Sequence, residues 1–298
     1  MRIAFAFLFL LSGLNLAAQH DILPFRSLTT EKGLSHGDIF CFYQDHEGFI
    51  WIGTTDGLNK FNGIGFTVYK FDISNPHSLS SSNVNAVYED KRGNLWVGVL
   101  NGICRYNRAL DNFERIDYPG PQGKKFGHHV QVIFEDSHNN LWIGTDYGIF
   151  ILDRDTRKFN ACFDEPCQKD ETAICNEILE DGHENIWIAT YGGGLIKYNL
   201  NTREFIRYTS RHPDLPLKDD YILSLMIDDR DNIWIGYSSQ GIQVINEQNK
   251  TLAWYTNNPD DPESLNNNII FSITPAPGKK ILSGTDGGGI NVFDPASG

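Results

Sequence analysis

An all-β fold, a β-propeller built from repeated four-stranded blades, is what this sequence predicts, and three observations predict it. Tryptophan recurs at positions 51, 96, 142, 187 and 234, at spacings of 45, 46, 45 and 47 residues, inside the period typical of propeller blades. The surroundings repeat with it. Residues 44–54 read Gln-Asp-His-Glu-Gly-Phe-Ile-Trp-Ile-Gly-Thr, and 89–98, 135–145, 180–190 and 228–236 are near copies. Within each copy the apolar residues alternate in short runs separated by Gly, Asn and Asp, which argues strands and no helices. A sixth, degenerate copy (Ile281-Leu282-Ser283-Gly284-Thr285) carries Leu282 where tryptophan is expected, 48 residues after Trp234.

Residues 1–18 are expected to be a secretory signal peptide. Met1-Arg2 is a short positive start, residues 3–11 are an unbroken apolar run, and Leu16-Ala17-Ala18 supplies small residues ahead of Gln19. The run is too short to span a bilayer, and no later segment approaches that length. Export places the chain in the periplasm. No cysteine follows the cleavage point, so a lipid anchor is not expected.

Residues 19–298 form the propeller region. In the second copy, Asn83 to Tyr88 is strand a, Leu95 to Val99 strand b, Ile103 to Tyr106 strand c and Phe113 to Ile116 strand d. Ile22 to Leu28 resembles a further strand d, and the chain closes on a strand c from Gly289 to Phe293. One leading d, five whole units and a final a-b-c make 24 strands, or six blades if the N-terminal strand completes the last one.

A lone four-stranded sheet cannot bury both faces, so the units must stack on one another around a channel. Each tryptophan, flanked by apolar neighbours such as Ile50 and Ile52, is expected in a blade-to-blade contact rather than in a glycan-stacking row. The aspartate that opens each a-b turn is expected to accept hydrogen bonds from backbone amides ahead of it.

Charge and chemistry exclude several functions. The 38 acidic residues outnumber 25 basic ones, and loss of Arg2 with the signal peptide takes the formal charge from −13 to −14; such a surface repels phosphate backbones and anionic lipid. No nucleic acid is expected through this segment. Asp228-Asp229-Arg230-Asp231-Asn232 lacks the further oxygens of a calcium loop. His128-His129 has no third metal ligand, and adjacent strand residues point to opposite faces. Gly192-Gly193-Gly194 and Gly287-Gly288-Gly289 replace turns and open no helix, so they are not phosphate loops. Five cysteines (Cys41, Cys104, Cys162, Cys167, Cys175) are an odd number without metal spacing; Cys41 and Cys104 are expected as buried small side chains, and Cys162 with Cys167 is the favoured pair for one local bridge. No cofactor, metal or catalytic residue is expected.

Ligand contact is expected on the face that gathers the d-to-a connections and the b-to-c turns, because those loops differ between copies while the a-b turns stay nearly constant. The candidates are Asp56, Asn101, Asp146, Tyr147, Tyr191, Tyr237 and Gln240 from b-to-c turns, and His128, His129 and Asp220 from d-to-a connections, with Asp219 and Tyr221 beside them. Aromatic plates next to amides and carboxylates suit sugar C–H faces and hydroxyls.

The pattern Asp-x-x-Gly-x-Ile/Leu-Trp-Ile-Gly-Thr-x-x-Gly-Leu-x-x-Tyr/Phe-Asn, as in Asp45 through Asn62, resembles the propeller repeat of two-component regulators, and Gly33-Leu-Ser-His-Gly-Asp-Ile39 is similar to the entry of the sensor region in hybrid two-component systems of gut Bacteroidetes. The resemblance implies a periplasmic sensor, seven blades per propeller, an inner-membrane-anchored and dimeric parent with a histidine kinase, and regulation of polysaccharide use. Its ligand would be an oligosaccharide, and its other partners the downstream sensor domains of the same polypeptide. This chain has no kinase motif and resembles an N-terminal fragment of such a sensor; its alternatives are a secreted glycan-active enzyme and a propeller that serves only as an interaction platform.

Overall fold

The computed structural model describes residues 27–116, 129–156, 158–161, 174–246, 248 and 250–294. The signal peptide, residues 22–26, His128, Cys162 and Cys167 lie outside the described residues, so the bridge and the N-terminal strand d are not tested; Ser27 and Leu28 are irregular.

Six antiparallel sheets follow one another along the chain. Blade 1 holds β1 (Ile39–Gln44), β2 (Ile50–Thr54), β3 (Gly57–Phe61) and β4 (Phe66–Tyr69). Blade 2 holds β5 (Val84–Glu89), β6 (Leu95–Val99), β7 (Gly102–Asn107) and β8 (Asn112–Ile116). Blade 3 holds β9 (Val130–Glu135), β10 (Leu141–Thr145), β11 (Gly148–Asp153) and β12 (Lys158–Ala161). Blade 4 holds β13 (Ile174–Glu180), β14 (Asn185–Tyr191), β15 (Gly194–Asn199) and β16 (Phe205–Tyr208). Blade 5 holds β17 (Ile222–Ile227), β18 (Ile233–Tyr237), β19 (Ile242–Ile245) and β20 (Thr251–Tyr255). Blade 6 holds β21 (Ile270–Ala276), β22 (Lys280–Thr285) and β23 (Gly289–Phe293), three strands among the described residues. The inner strands β1, β5, β9, β13, β17 and β21 pack one on the next in that order. The fold is the six-bladed, nearly helix-free propeller that the repeats predict.

The tryptophans sit where the sequence places them. Trp51, Trp142 and Trp187 are wholly buried, and Trp96 and Trp234 nearly so. Each packs on the blade that follows its own: Trp51 on Val84 and Val97, Trp142 on Ile178 and Ile188, Trp187 on Leu225 and Ile235. Close approach there requires a residue without a side chain. A Cβ on Gly53, two residues after Trp51, would stand 2.5 Å from Cys41 Sγ and 2.7 Å from the Val84 carbonyl oxygen of the next blade, which is why glycine recurs at this place.

The a-b turns hold a device that goes beyond a turn. Asp45 Oδ1 accepts the amides of Glu47 and Phe49, and its Oδ2 accepts Trp51 Nε1 at 2.8 Å. The same indole-to-carboxylate bond joins Trp96 to Asp90 (2.9 Å), Trp142 to Asp136 (2.8 Å), Trp187 to Asp181 (2.7 Å) and Trp234 to Asp228 (3.1 Å). One carboxylate therefore closes the turn and fixes the core ring. Burial by itself would push Asp90 up, but hydrogen bonds from Trp96, Asn94 and Arg154 outweigh it and hold the group below the ordinary carboxylate value.

Arginines then stitch the turns of adjacent blades. Arg108, after β7, reaches back to Asp45 (3.0 Å) and Glu47 (2.7 Å) of blade 1 and to Glu89 (2.7 Å) of its own blade. Arg154, after β11, repeats this with Asp90 (3.0 Å) and Glu135 (2.7 Å).

One position shows how the blades depend on one another. Val87, Ile133, Ile178, Leu225 and Ile273 face the preceding blade from equivalent places in their strands, and all are buried; the equivalent Phe42 of blade 1 is 65% exposed. Facing the other way from strand c, Leu58, Ile103, Ile149, Leu195 and Ile242 are buried while Ile290 of blade 6 is 68% exposed. The rear of blade 1 and the front of blade 6 thus present apolar side chains that every interior blade covers.

Cys104 and Cys175 are buried free thiols; Cys41 is half-buried, and desolvation pushes its thiol up to about 12.

Candidate functional site

In blades 1, 3, 4 and 6 the b-to-c turn is built by a threonine at or near the end of strand b. Thr54 Oγ1 donates to the Gly57 carbonyl (2.9 Å), and Thr145, Thr190 and Thr285 bond Gly148, Gly194 and Gly289 in the same way. Residues beyond the threonine are pushed out onto the face, and these are the candidates.

The densest grouping lies between blades 4 and 5. Tyr191 and Tyr221 meet edge to face with ring centroids 4.9 Å apart, both partly exposed (40% and 45%), and their backbones form an isolated bridge. The Asp220 carbonyl accepts the amides of Gly192 and Gly194, so the triglycine turn is clasped to the d-to-a connection, and a Cβ on Gly192 would lie 3.4 Å from the Tyr221 ring. Asp220 Oδ1 accepts the Ser210 amide (2.5 Å), Asp219 Oδ2 accepts Ser239 Oγ (3.0 Å), and Gln240 donates to Ser239 Oγ at 3.4 Å. Two partly exposed aromatic rings, two carboxylates, a hydroxyl and an amide therefore share one stretch of surface.

The other candidates form local pairs on their own blades. On blade 3, Asp146 Oδ1 accepts the His129 amide at 3.0 Å, and the His129 ring lies 3.2 Å from Gln131 Nε2 through Nδ1; burial pushes the His129 ring down, favouring its neutral form. Tyr147 next to them is 46% exposed. On blade 1, Asp56 pairs with Lys70 at 2.6 Å. Asn101 is an exposed turn residue of blade 2.

Tyr237 requires correction. Its ring is fully buried, its hydroxyl donates to Gln243 Oε1 (2.6 Å) and accepts the Lys218 amide (3.3 Å), and burial raises its pKa far above the ordinary phenol value. The signal was in the repeat: Tyr237 stands three residues after its tryptophan, where Thr54, Val99, Thr145 and Thr190 are also buried, whereas Tyr191 stands four after and Tyr147 five after. Tyr221, set beside the candidates by sequence, turns out to be the partner ring. Among the described residues no three of His, Cys, Asp and Glu converge as a metal-ligand set, and no helix is long and apolar enough to cross a membrane.

Comparison with known proteins agrees with this architecture. The two component regulator propeller family matches residues 33–56, 78–101 and 125–147. Histidine kinase P4 of Formosa agariphila is 38% identical over 73 residues, 24% of this chain and 5% of that protein. The extracellular domains of two hybrid two component systems of B. thetaiotaomicron superpose with TM-scores of 0.63 and 0.55 at 22% and 24% identity, covering 86% and 90% of this chain and 38% and 41% of theirs. The chain thus spans less than half the length of each of these three proteins. Three of its segments match the two component regulator propeller model, and its fold is that of the extracellular domains of hybrid two-component systems.

Proposed function

We propose that this chain is the ligand-binding propeller of a two-component sensor, exported to the periplasm by residues 1–18, and that it binds an oligosaccharide on the face of the b-to-c turns and d-to-a connections. The observation that carries the reading is the Tyr191–Tyr221 pair with Asp219, Asp220, Ser239 and Gln240 around it. Sugars lay C–H faces on the faces of aromatic rings and present hydroxyls to carboxylates and amides, and this surface offers partly exposed rings beside both kinds of polar group. Phosphotransfer belongs to other segments of the parent polypeptide, which receive the signal as a shift in the propeller's ligand-bound population.

Calorimetry of the purified chain against a panel of neutral oligosaccharides tests it. Saturable binding that Tyr191→Ala and Tyr221→Ala each weaken by about 1 to 3 kcal/mol, as truncated anchors do, is the expected result, with little dependence on salt because the ligand is uncharged. Binding that survives both substitutions moves the site elsewhere. Turnover of a bound glycan would favour the glycan-active enzyme instead.

A further inference from the structure

Blade 5 departs from the other blades at three neighbouring places. In blades 1 and 6 the residue four before strand a is held by strand c and by the end of strand b. The Ser35 amide donates to Asn59 Oδ1 (2.8 Å), and Ser35 Oγ lies 2.9 Å from Thr54 Oγ1. The Asn266 amide donates to Asn291 Oδ1 (3.0 Å), and Asn266 Oδ1 accepts Thr285 Oγ1 (2.7 Å). A small polar side chain is thereby drawn inward. In blade 5 the same place holds Lys218, whose amide lies 3.2 Å from Gln243 Oε1, the counterpart of Asn59 and Asn291. The amide also lies 3.3 Å from the hydroxyl of Tyr237, which stands where Thr54 and Thr285 stand. With the Tyr237 ring buried at this junction, the lysine side chain runs out to the surface instead.

The third departure is Trp254 of β20. Its place across from Gln243 holds Val68, Arg115, Ala161 and Arg207 in blades 1 to 4. Trp254 is the tryptophan outside the repeat, and it is 48% exposed where the other five are at most 5% exposed. Alternation along β20 turns Tyr255 to the side on which it stacks on Trp234, facing blade 6, and turns Trp254 to the opposite side, over the connection that enters from blade 4. There its indole N–H donates to the Gln240 carbonyl (2.7 Å), and Lys218 Nζ lies 4.1 Å from a ring centroid. A fourth strand on the next blade does not cover this place: Val68, its equivalent in blade 1, is 38% exposed with β8 of blade 2 present.

Both contacts of Trp254 lead into the surface described above. Gln240 Nε2 donates to Ser239 Oγ (3.4 Å), which donates to Asp219 Oδ2 (3.0 Å). Lys218 is three residues from Tyr221, a separation of at most roughly 11 Å along the backbone. A second aromatic platform thus stands at the far end of the strip that begins at Tyr191 and Tyr221, with carboxylates, a hydroxyl and an amide between the two.

We infer, on the reading of this face as a sugar site, that Trp254 is its distal stacking platform and that the ligand is a neutral linear oligosaccharide of at least three sugar residues. One ring rests on the Tyr191–Tyr221 pair and another on the exposed part of Trp254, where Lys218 Nζ and the Gln240 amide donate to its hydroxyls. The sugar that joins them meets Asp219, Asp220 and Ser239, and the two carboxylates there repel an acidic sugar. Tyr237 and Gln243 act beneath the surface as positioning residues, because they hold the Lys218 amide and so set the path of residues 218–221.

Calorimetry of the purified chain with cello-, xylo-, manno- and malto-oligosaccharides, from di- to hexasaccharides, tests this. In the series that binds, affinity should rise at least about tenfold from disaccharide to tetrasaccharide, and Trp254→Ala should remove that rise while leaving disaccharide affinity within about twofold, as loss of a distal anchor does. Trp254→Phe should restore part of the rise, and Tyr221→Ala should weaken every length. In the unsubstituted chain a tetrasaccharide, and not a disaccharide, should shield tryptophan fluorescence from acrylamide, because Trp254 is the ring open to the quencher. A length dependence that survives Trp254→Ala, equal weakening of short and long ligands by it, or quenching unchanged by bound tetrasaccharide would each overturn the assignment of Trp254 while leaving the site at Tyr221 in place. Failure of every series to bind, or Tyr221→Ala without effect on any length, would overturn that site and the distal platform with it. Thermal melting of each variant shows that it is folded.

Discussion

Blade 2 and blade 6 are copies of one sequence unit in different surroundings. Blade 2 has a neighbour on each face and a fourth strand, Trp96 nearly buried, Ile103 and Val87 covered, and Arg108 and Arg154 binding its turns to the blades on either side. Blade 6 has three strands among the described residues, Leu282 in the tryptophan position, Ile290 and Val292 mostly exposed, and a cavity beside β23. Similar repeats thus differ in burial because stability in such an array is a sum of unit and interface contributions. The tryptophan, its turn aspartate and the glycine two residues on mean little in one blade; together they make the surface onto which the next blade closes.

The largest expected effect follows from that contrast. Trp142→Ala should lower stability by about 3 to 5 kcal/mol, the range for a buried aromatic truncated in a core, while Leu282→Ala at the equivalent place in blade 6 should cost under about 1 kcal/mol because less packing is lost there. Urea unfolding of both variants measures it; equal losses would mean that blade 6 is as fully covered as blade 3.

Next come the turn carboxylates. Asp90→Ala should cost about 1 to 3 kcal/mol by leaving the Trp96 indole and the turn amides without their acceptor and Arg154 without one of its carboxylates. Because hydrogen bonds hold Asp45, Asp90, Asp181 and Asp228 below their ordinary values against the opposing pull of burial, their contribution is complete above the unfolded carboxylate pKa of about 3.9 and disappears as pH falls through the lower folded values. Melting temperature should therefore drop steeply below about pH 4, and less steeply in the Asp90→Ala variant, as differential scanning fluorimetry across pH would record.

Glu177 carries the opposite sign. It occupies the inner-strand place that small or apolar side chains fill elsewhere (Cys41, Ala86, Val132, Ser224, Ser272), with Ala189 across from it where the five other blades have glycine. Its carboxylate accepts the Leu225 amide of the next blade at 2.8 Å, and burial pushes it up to about 7. A raised carboxyl pKa means that the folded chain binds more protons than the unfolded one between about pH 4.5 and 7, so stability falls through that window. Glu177→Gln keeps the acceptor and removes the charge; it should gain about 1 to 3 kcal/mol at pH 8 and nothing at pH 4. A gain that is the same at both values would trace to packing instead. The smallest expected change is in Phe42→Ser, within about 0.5 kcal/mol for an exposed site, against several kcal/mol for Ile178→Ser at the buried equivalent.

Much of this architecture was legible in the residues. Tryptophan spacing located five blades and the Ile281–Thr285 copy a sixth, and strand limits in blade 2 differ from the reading by one residue. The turn aspartates were legible as turn formers, but not as acceptors for the indole six residues on, because a strand-to-turn bond depends on how the first two strands cross. The site was less legible. Alternation says which strand residues face which way, yet Tyr237 and Tyr191 each end a strand b, three and four residues after its tryptophan, and only the repeat register separates the buried ring from the exposed one. The Tyr191–Tyr221 contact joins residues 30 apart through a triglycine turn, and no local pattern marks it. Likewise, the exposure of Phe42 and Ile290 follows from what stands beside a blade, which a repeat motif does not encode.

Hydrogen–deuterium exchange followed by mass spectrometry tests most directly the claim that neighbours, rather than the repeat itself, decide each blade's stability. Amides in β9 to β11, covered on both faces, should exchange only through global unfolding, whereas those of β22 and β23 should exchange faster by at least tenfold through local opening. Protection of β23 equal to that of β11 would contradict the account, because it would place a full neighbour against the front of blade 6.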